Sequence, residues 1–111
     1  MTRRTVEWLG DSLKVLRTFP DKPRQDIGFA LSELEMGEEP DHSRPMKSIG
    51  PGVFELKAQD PSKWYRAIYY TKLKGKIVVL HCFTKDTRKT ERADLETAKH
   101  RLKMISQRGK T

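Results

Sequence analysis

Only one cysteine, Cys82, occurs in the 111 residues, so no intrachain disulfide can form and a disulfide-stapled secreted scaffold is excluded. The three histidines, His42, His81 and His100, are scattered, and with a lone thiol they offer no metal-ligand spacing. No apolar run approaches the roughly 18 residues that a membrane-spanning helix needs, and the mean hydropathy is −0.77. The opening Met1-Thr2-Arg3-Arg4-Thr5-Val6-Glu7 lacks the apolar stretch of a signal peptide, which leads to the expectation of a cytoplasmic protein. Also missing are the Gly-x-Ser-x-Gly elbow, the His-Glu-x-x-His helix, the Gly-x-x-x-x-Gly-Lys phosphate loop and any paired-cysteine motif. Carboxylates of the strand-rich region are few and scattered (Glu55, Asp60, Asp86), a poor basis for two-metal chemistry. Neither a metal nor a cofactor is therefore expected.

Positive charge is what the chain has in excess: 23 Lys+Arg against 15 Asp+Glu, a net +8 and an isoelectric point near 9.8. The excess is one-sided. Residues 1–56 carry 8 basic and 10 acidic side chains, and residues 57–111 carry 15 and 5. Cations confined to one half point to a working surface for a polyanion, with nucleic acid first among the candidates. The length suits one domain spanning residues 1–111, with a small core because only 35% of the residues are hydrophobic.

Local patterns predict the order β-α-α-β-β-β-α. Thr5-Val6-Glu7-Trp8-Leu9 reads as a short strand ended by Gly10-Asp11-Ser12, where a helix cap is natural. Leu13 and Leu16 mark a first helix that stops at Phe19-Pro20, because proline disfavours helical geometry in the preceding residue. Ile27, Leu31 and Leu34 line one face of a second helix, with Gly37 placed to end it. Residues 38–52, rich in Pro and Gly, have neither period and read as an ordered connection. Three strand-like runs follow, residues 53–58, 64–70 and 76–83, with links short enough to require antiparallel pairing. Leu95, Ala98, Leu102 and Ile105 then repeat at helical spacing. The class is α+β, with helices packed on an antiparallel sheet.

Basic residues inside strands need a polar sheet face. Phe54, Leu56 and Ala58 alternate with Glu55 and Lys57, so Lys57 is expected away from the core, where Glu55 is a possible partner. Arg66 sits mid-strand among apolar neighbours and calls for an anion. In the last strand His81 shares parity with Lys85, with Leu80 and Cys82 expected to point the other way. Arg88 and Lys89 follow just beyond. A face carrying Lys57, Arg66, His81 and Lys85, with tyrosines nearby as stacking surfaces, suits single-stranded RNA. Tyr65, Tyr69 and Tyr70 are expected as sheet packing more than as stacking surfaces, His81 as a structural residue ahead of a functional one, and Cys82 in the core.

Four segments in register resemble a known family. These are Gly50-Pro51-Gly52-Val53-Phe54-Glu55-Leu56-Lys57, Tyr65-Arg66-Ala67-Ile68-Tyr69, Val79-Leu80-His81-Cys82-Phe83-Thr84-Lys85 and Ala98-Lys99-His100-Arg101-Leu102. In order and spacing they are similar to the phage-derived Gp49-like toxin family, part of the wider RelE/HigB group of toxin–antitoxin modules. The resemblance implies helices on a curved antiparallel sheet and a metal-independent endoribonuclease that cleaves mRNA, for many members on the ribosome. It also implies a cognate helix-turn-helix (HigA-like) antitoxin. By position its basic residues match Arg66, Lys57 and Lys85; Arg66 and Lys57 are then the catalytic candidates, His81 is a further one if it faces the groove, and Lys85 is a candidate for RNA binding. Where the family commonly has a second basic residue after that lysine, this chain has Asp86, so the role passes to Arg88 or Lys89. No aromatic residue follows Phe83, which removes the late tyrosine found in some RelE members. The alternative is a non-catalytic module that binds nucleic acid or a partner protein through the same face.

Overall fold

The computed structural model describes residues 3–85 and 92–108. The elements are β1 (Thr5–Trp8), α1 (Ser12–Arg17), α2 (Asp21–Glu35), β2 (Ser43–Pro45), β3 (Val53–Gln59), β4 (Trp64–Tyr70), β5 (Lys76–Lys85) and α3 (Arg92–Arg108). They form an α+β fold in which one five-stranded sheet, in the order β1-β5-β4-β3-β2, separates α1 and α2 on one face from α3 on the other. This is the expected order with β2 added inside the 38–52 connection. As the outermost strand, β2 tolerates Pro45, whose missing N–H interrupts no ladder beyond it.

The sheet departs from the expectation in one respect: it is mixed. β3, β4 and β5 form an antiparallel meander, but β1 pairs parallel to β5, from Thr5 with Lys76 to Trp8 with Val79. The reason is topological, since β1 and β5 are joined through all the intervening chain and are free of the geometric limit that a short link imposes.

Each sheet face has its own core. Leu16, Phe19, Ile27, Leu31 and Leu34 from the helices meet Leu56, Ala58, Tyr65, Ala67, Tyr69, Ile77, Val79 and Cys82. On the other face Ala98 and Ile105 of α3 cover Val53, Ile68, Val78, Leu80 and Phe83. α2 ends in a Schellman arrangement, with Gly37 at φ 83° and the Glu38 N–H donating to the Glu33 carbonyl at 2.8 Å.

Asp11 does not cap α1 through its side chain. Its carboxylate instead accepts from Arg101 on α3 at 2.9 Å, and this hydrogen bond holds its pKa below the ordinary carboxylate value. Arg101 also donates to the Leu80 carbonyl at 2.8 Å. That carbonyl belongs to a β-bulge: Ile68 pairs with His81 but Tyr69 with Val79, leaving Leu80 as the extra residue. The bulge overturns the expected alternation here. Leu80 and His81 both turn toward α3, and only Cys82 points to the opposite core.

Candidate nucleic-acid interface

Antiparallel pairing assembles the candidate residues in rows across the α3 side of the sheet. Arg44, Glu55, Ile68 and His81 form one row, Lys57, Arg66 and Phe83 the next, and Gln59, Trp64 and Lys85 the third. Directly paired residues share a face and rows repeat every second residue, so Lys57, Arg66, His81 and Lys85 stand on one surface. Lys57 lies opposite the Phe54, Leu56 and Ala58 side of β3.

These cations differ sharply in access. Arg66 has no exposed surface, and its Nη1 donates to both oxygens of Glu55, at 3.1 and 3.3 Å. Glu55 is itself 1% exposed and also accepts from Arg44 Nε at 3.3 Å. Thus the anion that Arg66 demands comes from the neighbouring strand, and the Lys57–Glu55 alternative is replaced by Arg66–Glu55. Lys57 is half-buried, with its ammonium 5.3 Å from the centroid of the Trp64 ring, a cation–π contact.

His81 and Lys85 both turn to Asp94 in the first turn of α3. The His81 Nε2–H donates to Asp94 Oδ1 at 2.8 Å, and Lys85 Nζ lies 3.7 Å from Oδ2. The His81 ring stacks on Phe83, with centroids 5.1 Å apart. Its Nδ1 is enclosed and has no hydrogen-bond partner among the described residues. Both imidazole nitrogens are therefore occupied or shut away, which leaves little room for proton transfer with a substrate in this arrangement. Asp86, Arg88 and Lys89 lie outside the described residues.

Of the three tyrosines only Tyr70, half-buried and packed beside Val78 on the α3 side, shares this face. Tyr65 and Tyr69 are buried in the opposite core, where their hydroxyls meet Asp60 at 3.0 Å and Ser43 at 2.7 Å. Burial, the larger effect for each, raises both phenol pKa values. Besides Phe83, this face carries Trp64, which reasoning from composition passed over as a stacking surface although it shares parity with Arg66. Glu55 was expected as a partner of Lys57 and not of Arg66, Asp94 was not foreseen as a counter-ion, and Arg44 gave no signal because its segment has no period. Among the described residues no group of three His, Cys, Asp or Glu side chains could hold a metal ion, and no helix is long and apolar enough to cross a membrane.

The family model described as phage-derived protein Gp49-like matches residues 14–103. The chain belongs to the Gp49-like family. Comparison with curated proteins gives no match. Among solved structures, this Gp49-like chain is similar to a free-state mutant of the Escherichia coli toxin RelE in which two arginines are replaced by alanine. The TM-score is 0.62 at 17% identity, covering 95% of this chain and 99% of that one. The α+β fold is thus the RelE fold.

Proposed function

We propose that this Gp49-like protein is the toxin of a type II toxin–antitoxin module, a metal-independent mRNA endoribonuclease acting on ribosome-bound message in the cytoplasm. The observation that carries this reading is a RelE fold extending over 95% of the chain, in a Gp49-like sequence whose cross-strand rows bring Lys57, Arg66, His81 and Lys85 to one face. The reaction is attack of a ribose 2′-oxygen on the adjacent phosphorus. The 2′-O–P bond forms, the P–O5′ bond breaks and the 2′ proton passes to the departing 5′ oxygen, leaving a 2′,3′-cyclic phosphate and a 5′-hydroxyl.

Charge gathers on the non-bridging oxygens as the phosphorus becomes five-coordinate, so fixed cations lower the barrier. Lys57, the cation of the central row with an exposed flank, is suited to contact the scissile phosphate. Arg66 contributes through its field, or by direct contact once Glu55 yields to the phosphate. His81 is the weaker candidate base because Asp94 holds its Nε2. Lys85, Arg88 and Lys89 grip flanking phosphates. A cognate helix-turn-helix antitoxin of the HigA type silences the protein by covering this face.

A second reading, a non-catalytic RNA- or partner-binding module, is favoured by the enclosure of Arg66 against Glu55 and of His81 against Asp94. Induced expression of the wild type and of Lys57→Ala in a bacterial host, with mRNA 5′ ends mapped soon afterwards, separates the two. An interferase gives growth arrest and new 5′ ends that fall by about 100-fold in the variant, the scale of a lost proton-transfer or charge-stabilising group. Intact message and unimpaired growth from soluble wild-type protein would favour the binding module.

A further inference from the structure

The cations of this face divide by exposure. Arg66, Lys85 and His81 are 0%, 4% and 12% exposed and each meets a carboxylate, whereas the Arg44 side chain is 55% exposed. Arg44 projects from β2, in register with Glu55. Its Nε donates to Glu55, and neither terminal nitrogen has a partner among the described residues. Glu55 therefore sits between two guanidinium groups, Arg66 on the inside and Arg44 at the rim. Of the two guanidinium groups that share this carboxylate, Arg44 is the accessible one.

A guanidinium held by its Nε is well prepared to bind an anion. The stem is already ordered, so less side-chain freedom is lost on binding. The two terminal nitrogens still present the planar fork that matches two phosphate oxygens. Lys57 lies two residues along β3 on the same face, diagonally across from Arg44 at a cross-strand spacing of roughly 7–8 Å, and its ammonium lies over Trp64. Two accessible cations beside an indole are the parts of a single-stranded nucleic-acid site: phosphates meet the charges and an unstacked base meets the ring.

We propose that Arg44 is a phosphate-binding residue and that Arg44, Lys57 and Trp64 form a subsite at the β2 edge that grips single-stranded RNA, with Glu55 as the positioning residue for Arg44. The subsite rests on the reading of the protein as an RNA-cleaving toxin and says where the strand enters. It is tested by fluorescence anisotropy with a labelled, mixed-sequence 2′-O-methyl RNA oligonucleotide, which lacks the attacking hydroxyl and so reports binding without cleavage. Arg44→Ala weakens binding about tenfold at low salt, the scale of one charge-assisted contact. It also reduces the magnitude of the slope of log K against log salt by about 0.7, one phosphate contact on a single strand. Arg44→Lys, which keeps the charge but loses the fork and the Nε tether, falls between the two. Thermal melting of each variant shows that the fold is retained. An Arg44→Ala protein with wild-type affinity and an unchanged salt slope would overturn the subsite while leaving the toxin reading intact, provided that the wild type cleaves message. A wild type that neither binds the oligonucleotide nor cleaves message overturns both.

Discussion

Arg66 has no contact with water, and Glu55 meets it in a two-oxygen hydrogen-bonded pair. Such a pair adds little compared with two apolar side chains, but breaking it leaves an uncompensated charge in the interior. Arg66→Ala should therefore lower stability by about 3–5 kcal/mol, read as a shifted urea midpoint. Replacing Glu55 and Arg66 together by Leu and Met should recover most of that loss; a single variant that unfolds at the wild-type midpoint contradicts the assignment. The same variant is a poor probe of catalysis, since lost activity would follow from lost structure. At Cys82, burial pushes the thiol up to about 12 from an ordinary 9.0. The folded state thus holds the proton more tightly than the unfolded chain. The stability linked to this group is complete below pH 9.0 and is lost as the pH rises toward about 12. Accordingly, native protein at pH 8 should react with a thiol reagent only at its unfolding rate, whereas protein in denaturant should react at once. At this scale, alternation was enough to bring Lys57, Arg66 and Lys85 onto one surface. It carries no information on which carboxylates arrive there from other elements, because Asp94 belongs to a helix whose docking is set by packing.

Elements are joined here by a small number of polar clasps. Arg101 of α3 binds both the Asp11 carboxylate at the entry to α1 and the Leu80 carbonyl that the bulge presents. Gly10 permits this approach: its φ is +54°, and a Cβ there would lie 2.6 Å from the guanidinium carbon of Arg101. Gly10→Ala therefore combines left-handed backbone strain with displacement of the clasp and should cost about 1–3 kcal/mol; an unchanged melting temperature would count against this account. The turn between β3 and β4 is held in a similar way by Asp60, which accepts from the Ser62 and Lys63 N–H groups. Those donors, Lys63 first, draw its carboxyl down to about 2. The periodic elements were legible in the residues, since Ile27, Leu31 and Leu34, or Ala98 and Ile105, mark a buried stripe without further information. β2 was not, because edge pairing with β3 makes a strand of three residues that have no strand character of their own. The bulge at Leu80 was not either, since a one-residue slip leaves every residue's chemistry unchanged.

Across the whole molecule, the charge asymmetry has a structural counterpart. The acidic half supplies α1, α2 and the apolar residues they bury against the sheet, and the basic half supplies most of the meander and all of α3. The two halves meet in the pairing of Glu55 with Arg66, where an anion from the first neutralises the most deeply buried cation of the second. This arrangement lets a chain of net charge +8 fold without leaving like charges unopposed at its centre, while keeping the potential of its surface positive toward polyanions. The RelE fold is retained at 17% identity because it requires two apolar sheet faces and a meander, conditions that many side-chain sets meet.

β1 pairs with β5, so Thr5 finds its partner at Lys76. A contact spanning so much chain forms late, since the loop must close before the pairing can stabilise it. During synthesis the first strand to leave the ribosome is thus among the last to find its place, and until β5 has emerged the α1–α2 pair has no Ile77, Val79 or Cys82 to rest against. A nascent chain cut short before Lys76 lacks the strand that joins β1 to β4 and from which His81 and Lys85 project. The basic face is therefore complete only once β5 has been made, and products cut short before it lack two of its cations.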